Sequence, residues 1–337
     1  MNTEVVLPRA RDEAWLYTAP SRLVDGAVSG ALPVEVWGDV VVDDGRVTTW
    51  GNATRSVSNS AVADGFDALR LGLSPEAVGW SRAGDVRIAV RRSAARSASV
   101  VNIDVADGCD SVVIIDHAGG GDGLSLAEER VTVARGGSLH LIRVIEGEGR
   151  HHGRVRADVA GSMKLTSIVI GSGIRRVEVE ATLGVGAVAE LAALAIVPSG
   201  AHADHHWTVH HAAPGARSRQ VVRGLVHEDG RSAFTGRVIV HPGAVKTDAA
   251  QHCAHLLLGA RGRVDARPQL EIRCDDVACT HGATVGRLDD EALFLLQARG
   301  IPVNEAKALL VTAFARAVLD SLPASANEVV DRIASWR

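Results

Sequence analysis

Aromatic rings are scarce in this chain: six Trp, one Tyr and four Phe among 337 residues. Rings are normally the largest packing units of a compact core, so small and β-branched residues must fill this one. The scarcity also weakens a carbohydrate-cleaving reading, which calls for exposed aromatic platforms beside paired carboxylates. Only four cysteines occur, Cys109, Cys253, Cys274 and Cys279, without a Cys-x-x-Cys pair. That excludes a disulfide framework and a zinc finger and fits a reducing compartment. Charge is nearly balanced, with 36 basic against 40 acidic residues and a formal net charge of −4, so no nucleic-acid partner is expected. No stretch approaches the roughly 18 apolar residues of a membrane span. The opening MNTEVVLPRARDEAW lacks the basic-then-apolar pattern of a signal peptide; the expectation is a soluble, cytoplasmic protein without membrane contact. There is no G-x-x-x-x-G-K-[ST] phosphate loop and no G-x-S-x-G elbow, and the GGGDG of Gly119 to Gly123 opens no helix. A nucleotide site in this chain is not expected.

What the chain does have is 46% hydrophobic residues, 35 Gly and enough length for two compact units or one elongated one. From Gly84 to Ile272 it is a succession of short Val-, Ile-, Leu- and Thr-rich runs of alternating polarity, such as GSMKLTSIVIG, RRVEVEATLG, RSRQVVRGLV and AFTGRVIVHPG. The period is that of strands, not helices. Small-residue corners at Gly137, Gly161, Gly186, Gly215, Gly243 and Gly262 follow one another at 24, 25, 29, 28 and 19 residues. Spacings of roughly 20–30 residues fit the rungs of a stacked strand solenoid, whose narrow interior also accounts for the scarce rings. A β-sandwich, with turns every 8–12 residues or so, is the competitor.

The expected organisation is a mixed N-terminal region over residues 1–83, a parallel β-helix core over 84–286 and a helical domain over 287–337. Within the first region VEVWGDVVVDDGRVTTW reads as a hairpin and AVADGFDALRLG as a short helix. In the last, LDDEALFLLQARG has Asp289 or Asp290 as N-cap and Gly300 as a stop, with Pro302 beyond. Asn304 is the expected cap of a second helix. Ser325, three residues before Glu328, has the capping-box spacing for a third. Leu309, Leu310, Ala313, Phe314, Ala317 and Val318 form an apolar stripe that neighbouring elements, or else a partner, must cover.

Two constellations carry possible chemistry. In EIRCDDVACTHGATVG, Cys279 and His281 stand one residue apart, so on a strand they leave the same face about 6.8 Å apart. A thiolate and an imidazole so placed can meet one metal ion, but a closed tetrahedral site needs four donors. Either the rest come from a cofactor, solvent or a second polypeptide, or the pair is a packed cysteine and a hydrogen-bonded histidine. In HADHHWTVHH, His206 and His210 share one strand face with Thr208, and His205 and His211 share the other with Trp207 and Val209. Metal binding competes there with solvation or hydrogen bonding along stacked rungs.

The stretch from Lys246 to Leu319 resembles the SufB/SufD family, the scaffold proteins of the SUF iron–sulfur cluster assembly machinery. The likeness rests on Gln251, Leu256 to Leu258, the PQLEI of Pro268 to Ile272, the DDV before Cys-x-His-Gly-Ala-Thr, and then Asp-Glu, ARGI and the EA-LL helix. EAWLYT at Glu13 to Thr18 is similar to the family's short N-terminal element, and DHHWTVHH to its mid-barrel strand. Cys279-Thr280-His281-Gly282 resembles the SufD branch, where the SufB branch has a Glu-His-Glu-Ala type motif.

The resemblance implies a right-handed parallel β-helix flanked by helices and a scaffold without turnover of its own. It implies pairing with SufB, binding of the ATP-hydrolysing SufC through the C-terminal helices, and a transient iron–sulfur cluster, or iron, shared with SufB. His281, with Cys279 beside it, is the matching metal-site residue. Leu293, Phe294, Arg299, Ile301, Leu309, Leu310 and Phe314 are the expected SufC contacts. A homodimer in isolation is compatible with the same reading. The alternatives are a β-helix carbohydrate-active enzyme and a SufB-like homodimeric scaffold. Cys253 and Cys274 match no family role and are expected to be packing residues.

Overall fold

The computed structural model describes residues 77–80, 84–92, 96–119 and 123–334, with side chains over 99–118 and 123–333. The hairpin and short helix expected in the first region, and EAWLYT, lie outside these residues. Sixteen strands among the described residues form two parallel eight-stranded sheets, and the chain alternates between them. One sheet stacks β1 (Ala77–Trp80), β3 (Arg96–Val105), β5 (Leu124–Val133), β7 (Arg150–Val159), β9 (Ile174–Leu183), β11 (His202–His211), β13 (Arg231–Val240) and β15 (Arg263–Ile272). The other stacks β2 (Gly84–Arg92), β4 (Asp110–Gly119), β6 (Ser138–Gly147), β8 (Ser162–Ile170), β10 (Val188–Val197), β12 (Arg217–Val226), β14 (Asp248–Leu257) and β16 (Ala278–Gly286). This is a parallel β-solenoid. In the strands whose side chains are described, every second residue enters the space between the sheets, and in-register pairing stacks the same position of successive rungs into columns.

One column runs Val113, Leu141, Leu165, Leu191 up the second sheet, and another runs Val131, Ala157, Ala181, Val209 up the first. These residues are almost fully buried in one continuous core whose only large rings among the described residues are Trp207 and Phe234, packed edge to face at 5.6 Å. With so narrow an interior, aliphatic stacks replace rings, which accounts for the composition.

The corners are built from tight turns. At His241-Pro242-Gly243-Ala244 the Ala244 N–H donates to the His241 carbonyl at 3.1 Å, and Gly243 has φ +81°. Proline then glycine at the central positions is the signature of a type II turn, whose third residue needs positive φ. Five of the six corner glycines precede strands of the second sheet. Gly262 instead precedes β15 of the first, which explains the short last spacing of 19: it is offset by a half rung, and the matching corner is the glycine-free Arg273 to Val277.

Three helices follow: α1 (Asp290–Gln297), α2 (Val303–Leu319) and, after a 3₁₀ turn at Ala324–Ala326, α3 (Asn327–Ala334). Asp289 caps α1 by accepting from the Glu291 and Ala292 N–H groups, and Gly300 has φ +83° beyond its end. Two expected caps are corrected. Helix α2 begins before Asn304, because the Pro302 carbonyl already accepts the Ala306 N–H at 2.9 Å. Ser325 lies inside the 3₁₀ turn, so no helix starts there.

Ala315, Val318 and Leu319 of α2 and Val329 and Ile333 of α3 pack on the outer face of the second sheet, against Ile142, Ile168, Leu194, Leu225 and Leu256. Arg223 lies over the Phe314 ring at 5.4 Å, and Arg332 pairs with Asp116 at 2.7 Å. The helices are therefore part of the sheet's packing and not a detachable tail. The expected stripe is only half covered: Val318 is buried, whereas Leu309, Ala313 and Ala317 are exposed.

Candidate functional site

Strands β15 and β16 form the last described rung, and each pairs on one side only. Residues that continue the interior columns are here left open. Cys279 follows Ala249, His281 follows Gln251, Ala283 follows Cys253 and Val285 follows His255. The four lower residues are buried, but Cys279 is half-buried and His281, Ala283 and Val285 are exposed. Opposite them, Leu270 is half-buried and Ile272 is 45% exposed. The solenoid thus ends in an apolar mouth that bears one imidazole and one thiol. Cys279 and Cys274 both pack beside Val277 on the cluster of Val238, Val240, Ala244 and Ala249. Burial raises the Cys279 thiol pKa, against the lowering effect of a hydrogen bond with the Ala249 backbone, so the resting group is a thiol.

One rung below lies a polar section of the interior that sequence patterning does not announce. The Gln251 Nε2 donates to Gln220 Oε1 at 2.8 Å. His255 joins Cys253 Sγ through Nδ1 at 3.4 Å and Ser232 Oγ through Nε2 at 3.0 Å. Burial holds the Cys253 thiol up at about 12 and the His255 imidazole down at about 4, so both are neutral. Room for these side chains comes from glycine. A Cβ on Gly224 would stand 2.2 Å from His255 Cδ2, and one on Gly236 would stand 2.3 Å from Gln251 Nε2. The sequence signal is a glycine at an inward strand position, paired with a long polar residue at the next rung or across the core. Cys253 is fully buried in the core and Cys274 packs on the separate cluster of Val238, Val240, Ala244 and Ala249, which agrees with packing roles for both.

The histidine-rich segment is β11. His205 and His211 face the core with Trp207 and Val209, while His206, Thr208 and His210 are half-buried on the other face. His211 Nε2 meets Ser218 Oγ at 2.8 Å, and His210 Nδ1 meets His241 Nε2 on the following rung at 3.1 Å. The His210–His241 bond runs along stacked rungs, whereas His211 bonds across to the second sheet and the buried Nε2 of His205 has no hydrogen-bond partner. Among the described residues no three His, Cys, Asp or Glu side chains come together as a metal site. Cys279 and His281 remain two donors at an open end.

The expected partner contacts sit on the helical segment. Phe294, Arg299 and Leu309 are exposed and Leu293, Ile301, Leu310 and Phe314 are half-buried; Phe294 reaches 66% exposure and Leu309 52%. Leu295 and Val303 add to the uncovered apolar surface, a feature the sequence reading missed. No described helix is long and apolar enough to cross a membrane.

Comparison with known proteins follows the same lines. Residues 88–314 match the family model of the SUF system FeS cluster assembly SufBD core domain. The iron–sulfur cluster assembly protein SufD of Escherichia coli is 29% identical over 228 residues, 66% of this chain and 54% of that protein. A SufBD family protein of Mycobacterium tuberculosis is 26% identical over 91% of this chain and 83% of its own length. The chloroplastic protein ABCI7 of Arabidopsis thaliana is 32% identical over 50% of this chain and 36% of its own length. The match spans about half the length of the E. coli relative. With more than half of the chain under one family model, and a solenoid whose open rung carries the Cys-x-His pair, the chain belongs to the SufBD family of iron–sulfur cluster assembly proteins.

Proposed function

We propose that this chain is a non-catalytic scaffold subunit of an iron–sulfur cluster assembly complex, in which His281 is a ligand to a cluster held between it and a SufB-type partner. The observation that carries the reading is the exposure of His281 at the open end of the solenoid, in an interior column that is buried from Val113 to Gln251. A two-donor site is completed only by donors from elsewhere. The unpaired edges of β15 and β16 and the exposed Ile272 and Val285 offer strand hydrogen bonds and apolar area to the subunit that brings them. The cluster is cargo, made here and passed on. Cys279 beside His281 is a second, weaker donor until a metal displaces its proton.

The exposed apolar side chains of the helical hairpin, Phe294, Leu295, Val303 and Leu309, support docking of a SufC-type ATPase subunit. The hydrolytic step is assigned to that subunit.

The test is His281→Ala in the reconstituted three-subunit complex. The ring is exposed, so the variant folds and assembles as the parent does. Cluster formation, read by visible absorbance under anaerobic conditions, is expected to fall at least about 10-fold, the order seen when a ligand or its support is removed. Unchanged yield removes His281 from the mechanism.

A further inference from the structure

The amide of Gln251 is only half used. Its nitrogen donates to Gln220 on β12, while its oxygen, fully buried, has no hydrogen-bond partner. A buried acceptor left unmatched costs about 1–3 kcal/mol, so such an atom calls for an explanation. The geometry supplies one. The two ends of a primary amide point in opposite directions. In a ladder along stacked strands, an amide that donates down one rung therefore turns its oxygen up to the next. Below is Gln220; above, in register on β16, is His281. Gly236, across the core on the same rung, leaves the room in which the amide nitrogen lies.

We propose that Gln251 is a positioning residue for His281. Its side-chain oxygen accepts the imidazole N–H, so one ring nitrogen is fixed as donor and the other is presented as a lone pair at the mouth. A metal-binding imidazole is generally oriented in this way by a second hydrogen bond. The chain Gln220, Gln251, His281 is then a ladder of three side chains on consecutive rungs of one sheet, anchored in the core and ending at the open rung. The consequence for the metal rests on the function proposed above; the hydrogen bond itself does not.

The test reads the hydrogen bond directly in the isolated full-length chain. An exposed imidazole N–H exchanges with water too fast to be seen by NMR, whereas a hydrogen-bonded one gives a resolved signal. With ¹⁵N-labelled histidine, a ring N–H signal that vanishes in His281→Ala is expected in the parent. It is expected to be lost in Gln251→Leu, with exchange at least about 10-fold faster, and kept in Gln251→Glu, which retains the acceptor. Absence of that signal from the parent protein overturns the proposal even if Gln251→Leu does not fold. So does its persistence in a folded Gln251→Leu. In the assembled complex, Gln251→Leu is expected to weaken metal loading about 10- to 100-fold. If the N–H signal is present but His281→Ala leaves cluster yield untouched, the assembly role fails and the positioning role stands.

Discussion

Single side chains inside the solenoid set its response to pH. His205, His211 and His255 are buried between the sheets, and burial holds each imidazole down at about 4. In the unfolded chain each titrates near about 6.5. Between these values the unfolded chain binds more protons than the folded one, so stability is lost as pH falls through that window. Each ring contributes up to about 1.4 kcal/mol per pH unit there. Thermal unfolding of the isolated chain is expected to shift steadily to lower temperature from pH 6.5 to pH 4.5; a flat profile over that range contradicts the neutral, buried state of these rings. At this scale the sequence is a good guide to which face of β11 each histidine occupies, because strand alternation is strict. It is a poor guide to the pairing of Gln220 with Gln251 or of His255 with Ser232, since the first depends on register between rungs and the second on packing across the core, over 31 and 23 residues of chain.

At the level of elements, the strands and the first helix are legible because alternation and the Asp289 cap act locally. The second helix start and the 3₁₀ turn before the third helix are not, since they are set by carbonyls of prolines, Pro302 and Pro323, that accept from Ala306 and Ala326. The face that α2 buries is likewise chosen by the sheet beneath it. Ala315, Val318 and Leu319 meet Leu194 and Leu225, and this turns Leu309 outward. Such uncovered apolar side chains are expected to bind a partner and not to stabilise the chain. Phe294→Ser combined with Leu309→Ser is therefore expected to reduce capture of the SufC-type ATPase at least about 10-fold in a pull-down, with little change in melting temperature. Full retention of the ATPase disproves docking at this surface.

For the whole molecule, the spacing of corners and the lack of rings already imply a stack of rungs, while the openness of its last rung is visible only when the stack is built. Cys279 and His281 lie in columns continuous with buried residues, so their exposure marks where the stack stops and not a change in residue type. Two donors at such an end make an incomplete site, and completion by a second subunit is the central claim. It is tested most directly by anaerobic reconstitution with iron and sulfide, comparing this chain alone with the same chain mixed with the proposed SufB-type subunit. The pair is expected to develop the visible absorbance of an iron–sulfur cluster that disappears with His281→Ala, and the chain alone to hold none after desalting. A stable chromophore of equal intensity on the isolated chain contradicts the account and points to a homodimeric scaffold instead.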